Sequence, residues 1–275
     1  MRDESSGPPA GFLGQVGRES LGALRRRVSA ETSGESLERL AEALAVDSRA
    51  GARALAETAR RRREKLRREH HRQQQLFARE RQLRNAGAQH VAGVDEVGMG
   101  PLAGPVVAGA VVFPERVDLA GLDDSKRLTP QNRTRLGMAI REQAIAVGIG
   151  FVSSQELDRI NVYRAGLLAM ERAVADLSVM PDHVLVDART IPGLDVPQTA
   201  IVGGDRLEGS IAAASIVAKV YRDEWMTRLA ERYPGYGFER HKGYGTREHL
   251  AALERLGPTP DHRRSFAPVG GSAPA

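Results

Sequence analysis

His90-Val-Ala-Gly-Val-Asp-Glu-Val97 and Gly104-Pro-Val-Val-Ala-Gly-Ala-Val-Val-Phe113 are two apolar, β-branched runs held apart only by Gly98-Met-Gly-Pro-Leu-Ala-Gly-Pro105. The spacer is too short for a crossover helix, so the two strands pair antiparallel. Further along, 145–154 (IAVGIGFVSS), 182–188 (DHVLVDA) and 198–205 (QTAIVGGD) read as a third, fourth and fifth strand. Helical stretches fit 131–146, 161–177 and 210–233. Three antiparallel strands followed by helices and further strands predict an α/β fold, a mixed sheet with helices on its faces.

Asp95 and Glu96 sit side by side inside the first strand, where successive residues face opposite sides, so one of them must meet the core. Glycines at 98, 100 and 104 follow directly and let backbone approach a ligand closely. Their spacing and the prolines at 101 and 105 match neither a dinucleotide fingerprint nor a P-loop. Asp187 ends the fourth strand, and Asp223 shares a polar stripe with Ser215 and Lys219 on an otherwise apolar helix. Each acid alone reads as structural; their joint appearance at strand ends and on a helix stripe suggests a site. The chain has 36 Arg and only four Lys, and Lys126, Lys219 and Lys242 lie beside these candidate residues.

With no cysteine, disulfides, iron–sulfur clusters, thiolate zinc sites and cysteine nucleophiles are excluded. Carboxylate-held ions are then hard cations such as Mg2+ or Mn2+. The net charge of +5 is uneven: residues 1–90 carry 19 Lys+Arg against 12 Asp+Glu, the remainder 21 against 23. Residues 58–84 (TARRRREKLRREHHRQQQLFARERQLR) read as one long exposed basic helix stopped by Asn85-Ala86-Gly87, suited to contacting phosphates. Residues 1–59 suggest weak helices over 21–28 and 36–44 with partial order. The expected division is a basic, partly disordered or helical N-terminal extension over 1–85, a catalytic domain over 86–269 and a frayed tail over 270–275. No apolar leader opens the chain and no run is long enough to span a membrane, so a cytoplasmic protein is expected.

At AGVDEVGMGPLAGPVVAGAVV, GLDDSKRLT, ELDRINVYRAGLLAMERAV, HVLVDA, AAASIVAKVYRD, YPGYGFERHKGYGT and HRRSF, in that order from His90 to Val269, the sequence resembles bacterial ribonuclease HII. The resemblance covers about two-thirds of the chain. It implies an RNase H-like fold and endonucleolytic cleavage of RNA in RNA–DNA hybrids, including single ribonucleotides embedded in duplex DNA. The same resemblance implies two divalent ions, Mn2+ or Mg2+, on Asp95, Glu96, Asp187 and Asp223, with Gly98, Met99 and Gly100 reading the ribose 2′-OH. Tyr244 is implied at the RNA–DNA junction, and Lys126 and Lys219 beside the carboxylates or phosphate. The family loop is usually Gly-Arg-Gly; Met99 keeps the main-chain amides but brings no guanidinium. No protein partner is inferable. Residues 1–85 show no family pattern, and the lack of an evident folded N-terminal domain argues against the related ribonuclease HIII. The remaining alternative is a non-catalytic hybrid-binding protein.

Overall fold

In a computed structural model that describes residues 8–271, the chain divides into two compact units, one ending at Gln74 and one beginning at Gln75. The first holds four helices: α1 (Ala10–Arg18), α2 (Leu21–Ala30), α3 (Gly34–Ala45) and α4 (Ala50–Leu76), whose last two residues fall in the second unit. Ser20 and Ser33 cap α2 and α3 through their side chains. Leu24, Leu37, Leu40, Leu44, Leu55 and Ala59 meet in a core of its own. The region is therefore more ordered than the sequence suggested. Its short helices are stabilised by burying one apolar face each, which outweighs weak intrinsic propensity.

The long basic helix is also not continuous. It breaks at Phe77, after which α5 (Ala78–Asn85) begins. Phe77 is buried edge-on against Phe113, and Leu76 and Phe77 belong to the second unit's core. Burying that ring places the break within the second unit, and the division between the two units falls at residue 74, inside the 1–85 span expected for the extension. The predicted stop does end α5, with Gly87 at φ +108°.

The second unit is built on five strands: β1 (Val91–Val97), β2 (Val106–Val112), β3 (Ala146–Val152), β4 (His183–Asp187) and β5 (Gln198–Ile201). Their order is β3-β2-β1-β4-β5, with β1, β2 and β3 antiparallel and β1, β4 and β5 parallel. The helices are α6 (Pro130–Gln143), α7 (Ser154–Ile160), α8 (Val162–Ala175), α9 (Gly204–Leu207), α10 (Gly209–Arg232), α11 (Phe238–His241) and α12 (Arg247–Leu256). The mixed sheet and its five strands match the expectation, with boundaries differing by a few residues.

One sheet face packs on α8 through Ala92, Val94, Val184 and Val186; Val111 meets α10 and α6 on the other. Glycines in the strands admit these helices closely. A Cβ on Gly93 would lie 2.2 Å from the Ser210 backbone, and one on Gly109 would lie 2.4 Å from the Ala214 carbonyl. Of the 270–275 tail expected to fray, the first two residues complete a short 3-10 turn with Val269, and 272–275 lie outside the described residues.

Candidate active site

Strand parity decides where the acids point. Ala92 and Val94 face α8, so Glu96 shares their side, while Val91 packs with Ile211 of α10 and Asp95 shares that side. Val94 pairs with Val186 in parallel register, which sets Asp95 and Asp187 next to each other one step further along. Both lie on the α10 face, about 5 Å apart at the backbone as neighbouring strands are.

Asp95 is only 5% exposed and accepts a hydrogen bond from its neighbour's Glu96 N–H (2.8 Å). Burial pushes its carboxyl well above the ordinary range; the charges of Glu96, Asp187 and Asp205 push the same way, and a hydrogen bond from Ser215 of α10 opposes them. Asp187 is raised by burial too, then by Asp205, against a hydrogen bond from Gly204 N–H (2.7 Å). Asp205 is 6% exposed, at the start of the short turn after β5.

Glu96, on the opposite face, lies 3.2 Å from Arg189, whose guanidinium stacks on Tyr163 of α8 (5.0 Å to the centroid). Burial raises its pKa and Arg189 counters. Ala188, at φ +54°, turns the chain after Asp187 so that Arg189 returns over Glu96. Burial alone would lower Lys126, but Asp205 (3.5 Å), Asp124 and Asp95 outweigh it and raise the ammonium above its usual value.

Asp95, Glu96 and Asp187 therefore come together, with Asp205 beside them, while Asp223 is held elsewhere on α10. Asp223 lies eight residues beyond Ser215 on α10, about 12 Å along the axis. There it is neutralised by Lys219 (2.6 Å) and Arg133 (3.3 Å). Lys242 joins it through the Asp223 carbonyl (3.2 Å). Lys219 thus serves Asp223 and not the acid group.

The donor set fits a hard cation. It is all carboxylate, and the buried Glu96 Oε2 has no hydrogen-bond partner. Among the described residues no three such groups are already drawn into an ion-binding cage.

A family model described as Ribonuclease HII matches residues 92–269. Ribonuclease HII of Myxococcus xanthus (strain DK1622) is 56% identical over 231 residues, 84% of this chain and 79% of that one. The chain belongs to the ribonuclease HII family, and it is an endonuclease acting on RNA in hybrids. Ribonuclease HII of Bacillus subtilis (strain 168) is 54% identical over 190 residues, covering 69% of this chain and 74% of that one. In three dimensions the crystal structure of ribonuclease H2 from Pyrococcus horikoshii OT3 superposes with a TM-score of 0.57 at 26% identity, spanning 66% of this chain and 96% of that one. A second model, described as Ribonuclease HII N-terminal domain, matches residues 25–84. The N-terminal region does therefore carry a family pattern, and a folded unit there is no argument against ribonuclease HIII. The family model over the catalytic unit decides that question instead.

The glycine loop is held from beneath by two arginines that the sequence did not single out. Arg263 is fully buried and donates to the carbonyls of Gly98 (2.5 Å), Met99 (2.9 Å), Gly104 (2.9 Å) and Pro105 (3.2 Å). Arg222, 1% exposed, donates to those of Pro105 (3.0 Å), Ala103 (3.2 Å) and Lys242 (3.1 Å). Gly98 is at φ +88°, and a Cβ there would stand 2.3 Å from Arg222, so the loop tolerates no side chain at that point. Met99 turns inward beside Gly166 and packs on the α8 core. Gly100 comes within 3.9 Å of the Tyr244 ring, measured from a Cβ built on it. Tyr244 is 47% exposed, which makes it a surface ring at the loop and not a core aromatic.

Behind Tyr244 a chain of histidines has a fixed proton order. Thr259 N–H donates to His262 Nδ1 (2.9 Å), so His262 carries its proton on Nε2 and gives it to His249 Nε2 (3.0 Å). His249 then donates from Nδ1 to the Tyr244 carbonyl (2.9 Å). Burial pulls His262 down to about 3 and lowers His249, so both stay neutral near pH 7. Long-range 1H–15N spectra at pH 7 should show His262 as the Nε2–H tautomer and His249 as the Nδ1–H tautomer. A charged His262 would contradict the chain. His241 and His262 thus anchor loops through their ring nitrogens.

Proposed function

We propose that this ribonuclease HII hydrolyses the RNA strand of RNA–DNA hybrids, and single ribonucleotides embedded in duplex DNA, with divalent-ion assistance at Asp95, Glu96, Asp187 and Asp205. The observation that carries the reading is the pair Asp95–Asp187 on one sheet face beside Asp205, with burial raising both carboxyls. Asp95, Glu96, Asp187 and Asp205 would hold Mn2+ or Mg2+, which would supply the positive charge that activates water and stabilises a leaving oxygen. Gly204 N–H aims Asp187, and Ser215 aims Asp95. Arg189 and Lys126 keep Glu96 and Asp205 from repelling their neighbours.

The Gly98–Gly100 main chain, clamped by Arg263, offers rigid amides to a ribose 2′-OH, the group that distinguishes RNA from DNA. The Tyr244 ring, exposed beside that loop, would stack on a sugar at an RNA–DNA junction. Loss of function through Met99 has no support, since its side chain faces α8 and its carbonyl still anchors the loop.

The test is cleavage of a DNA duplex carrying one ribonucleotide, compared with an all-RNA/DNA hybrid, in Mg2+, Mn2+ or EDTA. Both substrates should be cut only with metal, leaving 5′-phosphate ends. Cutting in EDTA, or none of either substrate with metal, would overturn the reading.

A further inference from the structure

The nuclease reading leaves one feature unused, the basic face of α4 in the N-terminal unit. Leu55, Ala59 and Leu66 place one side of α4 in that unit's core. Arg61, Lys65, Arg68 and Arg72 follow at intervals of four, three and four residues, so they form one stripe on the opposite side, about 16 Å long.

Neighbouring cations are used internally. Arg60 pairs with Glu57, Arg63 with Glu38, and Arg62 donates to the Glu31 carbonyl. Arg72 pairs with Glu69, while Arg67 and Arg68 share the single carboxylate of Glu64. Among the described residues no carboxylate is ion-paired with Arg61 or Lys65, both exposed. The stripe thus keeps an excess of positive charge that the fold does not consume.

We propose that this stripe binds the phosphate backbone of the duplex substrate, without reading its sequence. An anionic duplex presents about one charge per 1.7 Å of axis, so a stripe of this length can meet several phosphates at once. A lipid surface fits worse. A membrane-bound helix needs its apolar face free for insertion, and here that face is already filled by the unit's own core. The choice of duplex rests on the nuclease reading.

The experiment uses the full chain with Arg61→Gln, Lys65→Gln and Arg68→Gln combined; glutamine keeps helix propensity, and circular dichroism confirms that the fold is retained. Binding of a fluorescent RNA–DNA hybrid is followed by anisotropy in EDTA between 50 and 200 mM salt. Three lost phosphate contacts should lower the slope of log K against log salt by about 2.7. Over that range the wild type then loses roughly 40-fold more affinity than the variant. Binding to vesicles of anionic lipid should be weak and the same for both proteins.

An unchanged salt slope in a folded variant overturns the proposal while leaving the nuclease reading intact. So does a variant that loses vesicle binding but keeps hybrid affinity. A wild type that binds no hybrid, yet cuts nothing with metal either, would overturn the nuclease reading and this proposal with it.

Discussion

In Asp95→Asn, cleavage of hybrid falls by more than about 10³-fold, and the metal-free protein becomes more stable at pH 7. The first effect follows because an amide cannot supply the anionic oxygen that a hard cation requires; even one lost hydrogen-bond donor at a developing charge costs on the order of 10²–10³ in kcat. The second follows from burial. The folded-state pKa of Asp95 lies well above its unfolded value of about 3.9, so the folded chain holds that proton more tightly. Stability is full below the unfolded value and falls as pH rises through the folded one. At pH 7 the wild type bears that loss and asparagine does not. Thermal unfolding at pH 7 should therefore favour the variant, each kcal/mol appearing as roughly 2–4 °C in Tm. At pH 4 the two proteins should converge. Adding Mg2+ should stabilise the wild type more than the variant. A variant less stable at pH 7 in EDTA would show that Asp95 is not under electrostatic strain.

Arg263→Ala should be the most damaging single change away from the carboxylates. It removes a fully buried guanidinium and leaves the carbonyls of Gly98, Met99 and Gly104 without that donor. Orphaned buried groups cost about 1–3 kcal/mol each, so a loss of about 3–5 kcal/mol in total is expected, on the order of 10 °C in Tm. Arg263→Lys should recover little, because an ammonium is a point donor and cannot fork across four carbonyls. Activity should fall even at temperatures where the variant is folded, since the loop over 98–105 loses its clamp. Differential scanning calorimetry with cleavage assays at 15 °C checks both. Near-wild-type Tm in Arg263→Ala would contradict the clamp.

Much of the catalytic unit was legible because its signals are local. Continuous apolar, β-branched runs and the short glycine-proline spacer revealed the antiparallel pair, and a strand ending on a carboxylate revealed Asp187. The same signal marks Asp205, which follows the fifth strand in 198–205, yet the acid on the apolar helix drew attention instead. Deciding between Asp205 and Asp223 needs the rotation and rise of α10, and only the fold supplies those. Arg222 and Arg263 were hidden for another reason. In a chain of 36 arginines nothing local separates two that are buried from those on the surface. The break at Phe77 escaped because helix propensity continues through it; only the pocket beside Phe113 rewards the kink. In the N-terminal unit weak short helices looked marginal because their stability comes from one another.

The most direct measurement is electron paramagnetic resonance of free Mn2+, titrated into full-length protein saturated with an uncleavable hybrid. Wild type and Asp223→Asn should both remove Mn2+ from solution, whereas Asp95→Asn and Asp205→Asn should leave it free. Retained uptake in Asp205→Asn together with loss in Asp223→Asn would contradict the assignment of the site.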